Sequence, residues 1–473
     1  MILDRYDPLD ILALLPELGL ELEPELAELD RLLEDDLLFE KVKADLSRRY
    51  PNSKRLGRHS TPVEVILRML VIKRLYDFSY EQTERFVSDS ITLRQFCRLY
   101  LEPAPDDTTL IRWANLIGAD TLEELNEHVV RMAASLKVTR GRKLRTDGTV
   151  VETNVHYPTD SSLLSDGVRV LGRLARKAKN LVGKNVRKEA RGAPFRDRSR
   201  SAKRLTRAIE QLARRVRSPA VRDAYRKTYG RLLGVANASI TQAQRLIGLL
   251  SETWTSSPEK ANVLGKDLEH FSESLSWVVS QTERRVLREE KVPAAEKLVS
   301  IFEPHTEIIR RGKAAKPTEF GKKVWLSEVE GGIISYYRIL DGNPADVEQI
   351  EPELDHHLTL FGKPPILLAA DRGCHSADNE RLAGEVGVSK VCLPQRGKKT
   401  QKRRKHERQS WFKRAQRFRA GSEGRISVLK RGGQLGRCRD HGEEGFSRWV
   451  GWGILAANLG RIARHLAAPE QRG

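Results

Sequence analysis

With 473 residues and 39% hydrophobic content, the chain is long enough for about two to four cores at roughly 150 residues per domain, which excludes a disordered tail. Lys and Arg outnumber Asp and Glu by 84 to 64, and the net charge of +20 points to a polyanionic partner, nucleic acid before any other. Met1 is followed by acidic residues rather than a basic region and a long apolar run, and no stretch reaches the ~18 uninterrupted apolar residues that span a bilayer, so a cytoplasmic protein with no membrane partner is expected.

The nearest approach to such a run, Trp449–Leu459, is broken by Gly451, Gly453 and Asn458. Cys97, Cys374, Cys392 and Cys438 form no C-x-x-C pair and read as free thiols; Cys438 and His441 have C-x-x-H spacing but no second pair to complete a zinc site.

Charge is distributed unevenly. Residues 1–40 carry thirteen acids against Arg5 and Arg31, a local net of −11 that leaves +31 for the remainder. Leu26, Leu29, Leu32 and Leu33 fall at helical spacing, so residues 1–50 read as an acidic helical arm, either docked on its own protein or masking a basic DNA surface.

Residues 51–137 read as an all-helical domain and a candidate for DNA binding. Thr61-Pro62-Val63-Glu64 has the form of a capping box with Pro at the first helical position, and Val63, Ile66, Leu67, Leu70 and Val71 then share a face. Ser79-Tyr80-Glu81-Gln82 is a second capping box, and Asp106 or Asp107 caps a helix carrying Leu110, Trp113 and Ile117. Short helices joined by tight turns suit a helix-turn-helix-like module with Arg68, Lys73, Arg74, Arg94 and Arg112 on its polar face; a bundle that only packs has the same periodicity.

β-type residues gather between Lys143 and His156, including Val150, Val151, Thr153 and Val155. Residues 161–220 then hold eighteen Lys or Arg against four acids, with Val168, Leu171, Leu174, Ala175 and Ala178 at helical spacing. A helical insertion over 161–298 is expected, its basic face either solvated or in contact with nucleic acid. Strands resume at Leu298–Phe302, Glu307–Ile309, Lys323–Glu328, Ile333–Leu340, Ile366–Ala370 and Val388–Leu393. The expected architecture is an α/β core over 138–160 and 299–465, split by the helical insertion, preceded by the all-helical domain and followed by a tail at 466–473.

Three carboxylates stand out. Pro365–Ala370 is an apolar run of the kind that forms a buried parallel strand, and it ends in Asp371, where open α/β sheets bind ligands; a turn or cap residue would also fit there. Ser376 caps a following helix with Leu382 and Val386 that stops at Gly387. Asp147, in Leu144-Arg145-Thr146-Asp147-Gly148-Thr149-Val150-Val151, lies either on a strand or in an Asp-Gly hairpin turn. Glu423 lies in a helical stretch with Arg419 four residues before it and Lys430 seven after, all on one side; a surface salt-bridge ladder has the same spacing. Gly421 and Gly424 in that stretch suit close approach of backbone or DNA rather than a surface ladder.

Asp-Gly-Thr on an early strand, apolar-Ala-Asp-Arg-Gly at a later strand end and Arg-x3-Glu-x6-Lys on a helix resemble the DDE transposases of bacterial insertion sequences, over roughly residues 55–465. The full third motif of that family begins with Tyr three residues before the Arg; this chain has Gln416 there. The resemblance implies a ribonuclease H-like mixed-sheet core, with Asp147, Asp371 and Glu423 as catalytic residues and ligands of two Mg²⁺, Mn²⁺ being an alternative. It implies that water cuts the phosphodiester at the element's terminal inverted repeats and that the freed 3′-hydroxyl attacks target DNA. It further implies a homodimer on paired ends, working on the nucleoid.

The residue types suit that chemistry, because in-line phosphoryl transfer uses two ions roughly 3.5–4 Å apart held by carboxylates and completed by phosphate oxygens. Arg419 and Lys430 would neutralise phosphates near the scissile bond, with Arg372, Lys413 and Arg414 as further DNA contacts. The segment Arg396–Arg419, with twelve Lys or Arg against Glu407 alone and with Trp411 and Phe412 among them, is the best candidate for backbone contact. A ribonuclease H-like nuclease that cuts without joining is the nearest rival, and a DNA-binding protein that has lost catalysis is a second.

Overall fold

Apolar residues at helical spacing and short polar caps build the first seven helices: α1 (Pro24–Leu32), α2 (Asp36–Ser47), α3 (Val63–Leu75), α4 (Tyr80–Asp89), α5 (Ile91–Phe96), α6 (Asp107–Ala114) and α7 (Ala119–Ser135). The computed structural model describes residues 2–14, 21–48, 60–182, 195–215, 218–252, 257–310 and 317–468. The expected arm boundary at residue 50, and Lys184, Arg187, Lys188, Arg191 and Arg217 of the basic stretch, lie outside these residues. Among the described residues the chain is mixed α/β, with sixteen α-helices and a six-stranded mixed sheet. It divides into two units, residues 1–154 with 322–473 and residues 155–321.

In the first unit, Leu26, Leu29, Leu32 and Leu33 of the acidic segment are buried in the same core as α3 and α7, so this segment docks on its own protein. Asp30 on α1 pairs with Arg68 and Arg98. The Ser79–Gln82 capping box forms with both reciprocal hydrogen bonds, and Asp106 accepts from the Thr109 N–H to cap α6.

Two expectations for this region are corrected. Pro62 occupies the N-cap of α3 and no side chain caps that end, so the Thr61–Glu64 box does not form; Glu64 is instead drawn to Arg68. Arg68, Lys73 and Arg74 are buried rather than on a polar face, because α3 is enclosed on nearly all sides. Arg68 donates to Glu64, Asp30 and the Phe96 carbonyl, and Arg74 donates to Gln434 and the Trp449 carbonyl. Arg94 donates to the Tyr100 and Glu102 carbonyls, and Arg112 is exposed.

The sheet begins with β1 (Lys143–Glu152). The second unit follows, with α8 (Asp160–Leu181), α9 (Ser199–Ala213), α10 (Pro219–Glu252) and α11 (Pro258–Thr282) around a core of their own. On α8, Val168, Leu171, Leu174, Ala175 and Ala178 are buried while Arg169, Arg173, Arg176, Lys177 and Lys179 are exposed, so its basic and apolar faces are separate. Leu298–Phe302 is not a strand: the Leu298 N–H and carbonyl are both taken by the Gln281 side-chain amide, which leaves no ladder to join.

The remaining strands are β2 (Glu307–Arg310), β3 (Thr318–Val329), β4 (Ile333–Leu340), β5 (Leu367–Ala369) and β6 (Lys390–Cys392). Gly331 and Gly332, at φ +86° and +79°, close the β3–β4 hairpin in a backbone region that favours glycine. The order β4-β3-β1-β5-β6 has β2 beside the opening residues of β3; β3 and β4 are antiparallel, whereas β1, β5 and β6 are parallel. The helices α12 (Ile350–Phe361), α13 (Ala377–Glu385), α14 (Gln401–Arg408), α15 (Ser410–Arg431) and α16 (Gly442–Ala467) complete the first unit. Trp449–Leu459 lies within α16 and packs in the core, and no helix among the described residues is long and apolar enough to cross a membrane.

Arg68 sits at 0% exposure between Asp30 and Glu64, so its truncation removes their most enclosed partner, leaves the Phe96 carbonyl without its donor and opens a cavity, although Arg98 still pairs with both acids. Arg68→Ala is expected to destabilise the protein by about 3 kcal/mol, read as a lower urea midpoint. Arg112→Ala, on the exposed face of α6, should leave that midpoint unchanged.

Candidate active site

The geometry starts from strand register. β1 and β5 run parallel with Arg145 opposite Ala369, so Asp147 on β1 and Asp371, two residues past the end of β5, come to the same end of the sheet. Asp147 therefore lies within a continuous strand, not in a hairpin turn. Gly148 beside it has a packing reason: a Cβ there would meet Lys323 Cε at 3.0 Å and the Trp325 ring at 3.1 Å, where β3 crosses closely. Asp371 follows the buried end of β5, and its carboxylate makes no capping bond to the turn after it, which leaves both oxygens for other partners.

The third carboxylate comes from α15. Phe412 and Ala415, buried against Ala369 and Cys392, seat the start of this helix over β5 and β6. Farther along, Arg145 of β1 donates to the Phe418 carbonyl and lies over the Phe418 ring at 4.8 Å, while its guanidinium makes a two-pronged bond to Glu328 at 2.8 and 2.6 Å. A Cβ at Gly421 would meet the Arg145 guanidinium, which would have to shift from its bonds to Glu328 and the Phe418 carbonyl. The glycine thus admits a side chain of the protein itself, while Gly424 has open space beside it.

With the helix fixed, Arg419 Nη2 lies 3.1 Å from Asp147 Oδ2 and 3.6 Å from Asp371 Oδ1, and its Nη1 lies 3.4 Å from Glu423 Oε1. Three carboxylates from separate parts of the chain thus converge on one guanidinium. The Ser422 hydroxyl donates to Asp147 Oδ2 at 3.1 Å, and the Gly148 N–H donates to Asp147 Oδ1 at 2.9 Å. Burial holds the Asp147 carboxyl above its usual range, although Arg419 and Ser422 pull it down. Arg419 Nε is buried and has no acceptor.

Sequence reasoning missed Ser422, Lys323 and Asp346. Ser422 was findable, since it lies three residues after Arg419 on the same helix face. Lys323 and Asp346 carry no local signal, because their relation to the site comes from strand register: Lys323 covers Gly148 and pairs with Asp346 at 2.6 Å, and Asp346 in turn abuts Gly373 beside Asp371.

Arg372, Lys413 and Arg414 are exposed, and Lys430 is half-buried farther along α15. The basic segment is only partly available to a ligand. Arg403 bonds Glu407 and Glu380, Lys399 bonds Glu407, and Phe412 is in the core, where it cannot stack on a base.

The donor set is all oxygen and suits a hard divalent cation, with three negative charges facing one guanidinium. Its spacing is open: among the described residues no three Asp, Glu, His or Cys side chains are clustered closely enough to hold one ion. Arg419 lies between the carboxylates, so an ion held by them would have to displace its guanidinium from at least one.

Residues 20–116 match the family model described as Transposase domain (DUF772). The match supports a transposase family and, in general terms, a DNA-processing enzyme. It covers α1 to α6 and none of the three carboxylates. No curated protein and no solved structure matches the chain.

A raised carboxyl pKa in the folded state means that Asp147 contributes most to stability below about pH 3.9, where it is protonated in both states, and that this contribution declines as pH rises through its folded value. Asp147→Asn is therefore expected to unfold at or above the parent's midpoint at pH 7, with the advantage shrinking towards pH 4. Thermal melts across that range give the check; a variant that melts well below the parent at pH 7 would assign Asp147 a structural role.

Proposed function

We propose that this protein is a DDE transposase that cuts DNA at the terminal inverted repeats of an insertion sequence and joins the freed 3′-hydroxyl to target DNA. The observation that carries the reading is the convergence of Asp147, Asp371 and Glu423 on Arg419 across 276 residues of chain, from position 147 to 423. An N-terminal match to a transposase domain and a net charge of +20 support it independently. The strand order β4-β3-β1-β5-β6, with one antiparallel side and one parallel side, supports a ribonuclease H-like core.

Asp147, Asp371 and Glu423 would hold two Mg²⁺, or Mn²⁺, which when bound activate the attacking oxygen and stabilise the leaving one. The chain's own residues do the rest. Ser422 and the Gly148 N–H fix the Asp147 carboxylate in one rotamer, and the Lys323–Asp346 pair supports the turn after Asp371. Arg419 balances the carboxylates' charge. Lys430, Arg372, Lys413 and Arg414 would contact the DNA backbone. Such an enzyme works on the nucleoid, in the cytoplasm, and a homodimer would bring paired ends together.

The test is a labelled duplex carrying an element end, incubated with purified protein and Mg²⁺ in the presence of a supercoiled target. Cleavage and joined products are expected, both lost in EDTA and restored by Mg²⁺ or Mn²⁺. Asp147→Asn, Asp371→Asn and Glu423→Gln should each lower the cleavage rate at least about a hundredfold, or about 2.7 kcal/mol in barrier. Cutting without joining would favour a nuclease, no cutting would favour a DNA-binding protein without catalysis, and cleavage that survives all three substitutions would remove the site.

A further inference from the structure

On the other flank of α15 from Ser422 and Glu423 lies a cleft of about 440 Å³ lined by Lys143, Arg145, Arg425, Arg461 and Arg464, with Glu328 and Glu330 as its acids. Both acids are already occupied. Glu328 takes the two-pronged bond from Arg145, and Glu330 accepts from the backbone N–H groups of Arg140, Arg142 and Lys143. Arg461 Nε bonds the Gly331 carbonyl.

Arg425 is in a different position. Its Nε and Nη2 are buried and have no acceptor, and Arg145, Arg461 and Arg464 line the same cleft. A desolvated guanidinium without acceptors among other cations is costly unless an anion completes it. Gly424 at the rim has no neighbour within 4 Å of a would-be Cβ, so an incoming group can approach the helix backbone there.

We propose that this cleft is a phosphate site, in which Arg425 forms the floor and Arg461 and Arg464 the rim, and that it receives a backbone phosphate of the DNA strand whose scissile phosphate lies at Asp147. The assignment to DNA rests on the transposase reading; the cleft's selectivity for a phosphate does not. Arg145 and Asp147 lie two residues apart on the same face of β1, about 6.6 Å by strand rise, so a strand passing the carboxylates comes within reach of the cleft. Arg461 and Arg464 are exposed at the rim, where their guanidinia can meet phosphate oxygens, and Arg425 adds positive charge from below.

The experiment measures binding of a 30-base-pair duplex by fluorescence anisotropy in EDTA over a range of NaCl, for the full chain and for Arg425→Gln and Arg464→Gln. A parallel arm measures the melting shift from inorganic phosphate against chloride at equal ionic strength. Each variant is expected to flatten the slope of log K against log[salt] by about 0.9, the value for one phosphate contact, and Arg425→Gln should abolish the phosphate-specific melting shift. Parent-like slopes in both variants overturn the DNA assignment, and a phosphate shift that persists in Arg425→Gln overturns the cleft as a phosphate site. If the parent binds no DNA but keeps an Arg425-dependent phosphate shift, the transposase reading fails while the cleft stands as a site for free phosphate. Arg464 is exposed, so its variant remains informative if Arg425→Gln folds poorly.

Discussion

Arg419 is the constraint on which the site depends. Without a cation at their centre, Asp147, Asp371 and Glu423 would repel one another, and the most enclosed of them would have only Ser422 and the Gly148 N–H to offset its desolvation. A guanidinium can satisfy several acceptors at once because its five donors radiate in a plane. The three carboxylates differ in what they give up to be there. Asp147 is held by a serine hydroxyl and a backbone N–H, whereas Glu423 has 72% of its side chain exposed and only Arg419 to steady it. That gradient sets an anchored strand-borne residue against an exposed helix-borne one.

The position of Arg419 depends on how α15 is seated. Phe412 and Ala415 seat the beginning of the helix by burial, and Arg145 secures its middle through the Phe418 carbonyl and the missing side chain at Gly421. Arg145 in turn is locked by Glu328 of β3. The carboxylate site and the basic cleft therefore share one scaffold, with Arg145 and Asp147 two steps apart on β1 and Gly421 and Ser422 adjacent on α15.

Local pattern carried a good part of the molecule. Residue types that act through their own neighbours were readable: Ser79 and Asp106 as caps, Val168 to Ala178 as one helical face, Ile333–Leu340 as a strand with the bounds it has in the structure. Arg68, Lys73 and Arg74 misled because charge was read as exposure; their burial depends in part on groups distant in the chain, such as the carbonyls of Phe96 and Trp449, which helix periodicity cannot see. Leu298–Phe302 has strand composition but loses its ladder to one glutamine side chain. At the site, Asp371 was legible from the apolar run before it and Glu423 from its spacing to Arg419. The choice between strand and turn for Asp147 came only from the pairing of β1 with β5. Lys323 and Asp346 lay beyond reach for the same reason.

The sheet order has a further consequence for the 155–321 segment. That segment leaves after β1 and returns into β3, and these two strands are neighbours in the sheet. Topologically it is a hairpin loop of extreme length, and loop-closure entropy grows only with the logarithm of length, so enlarging such a loop adds little cost to the strands that frame it. The strand bearing Asp147 is thus insulated from the size of what is threaded between it and its partner. Doubling the length of the module would add only about 0.6 kcal/mol to that closure cost, with the spacing of the three carboxylates set elsewhere.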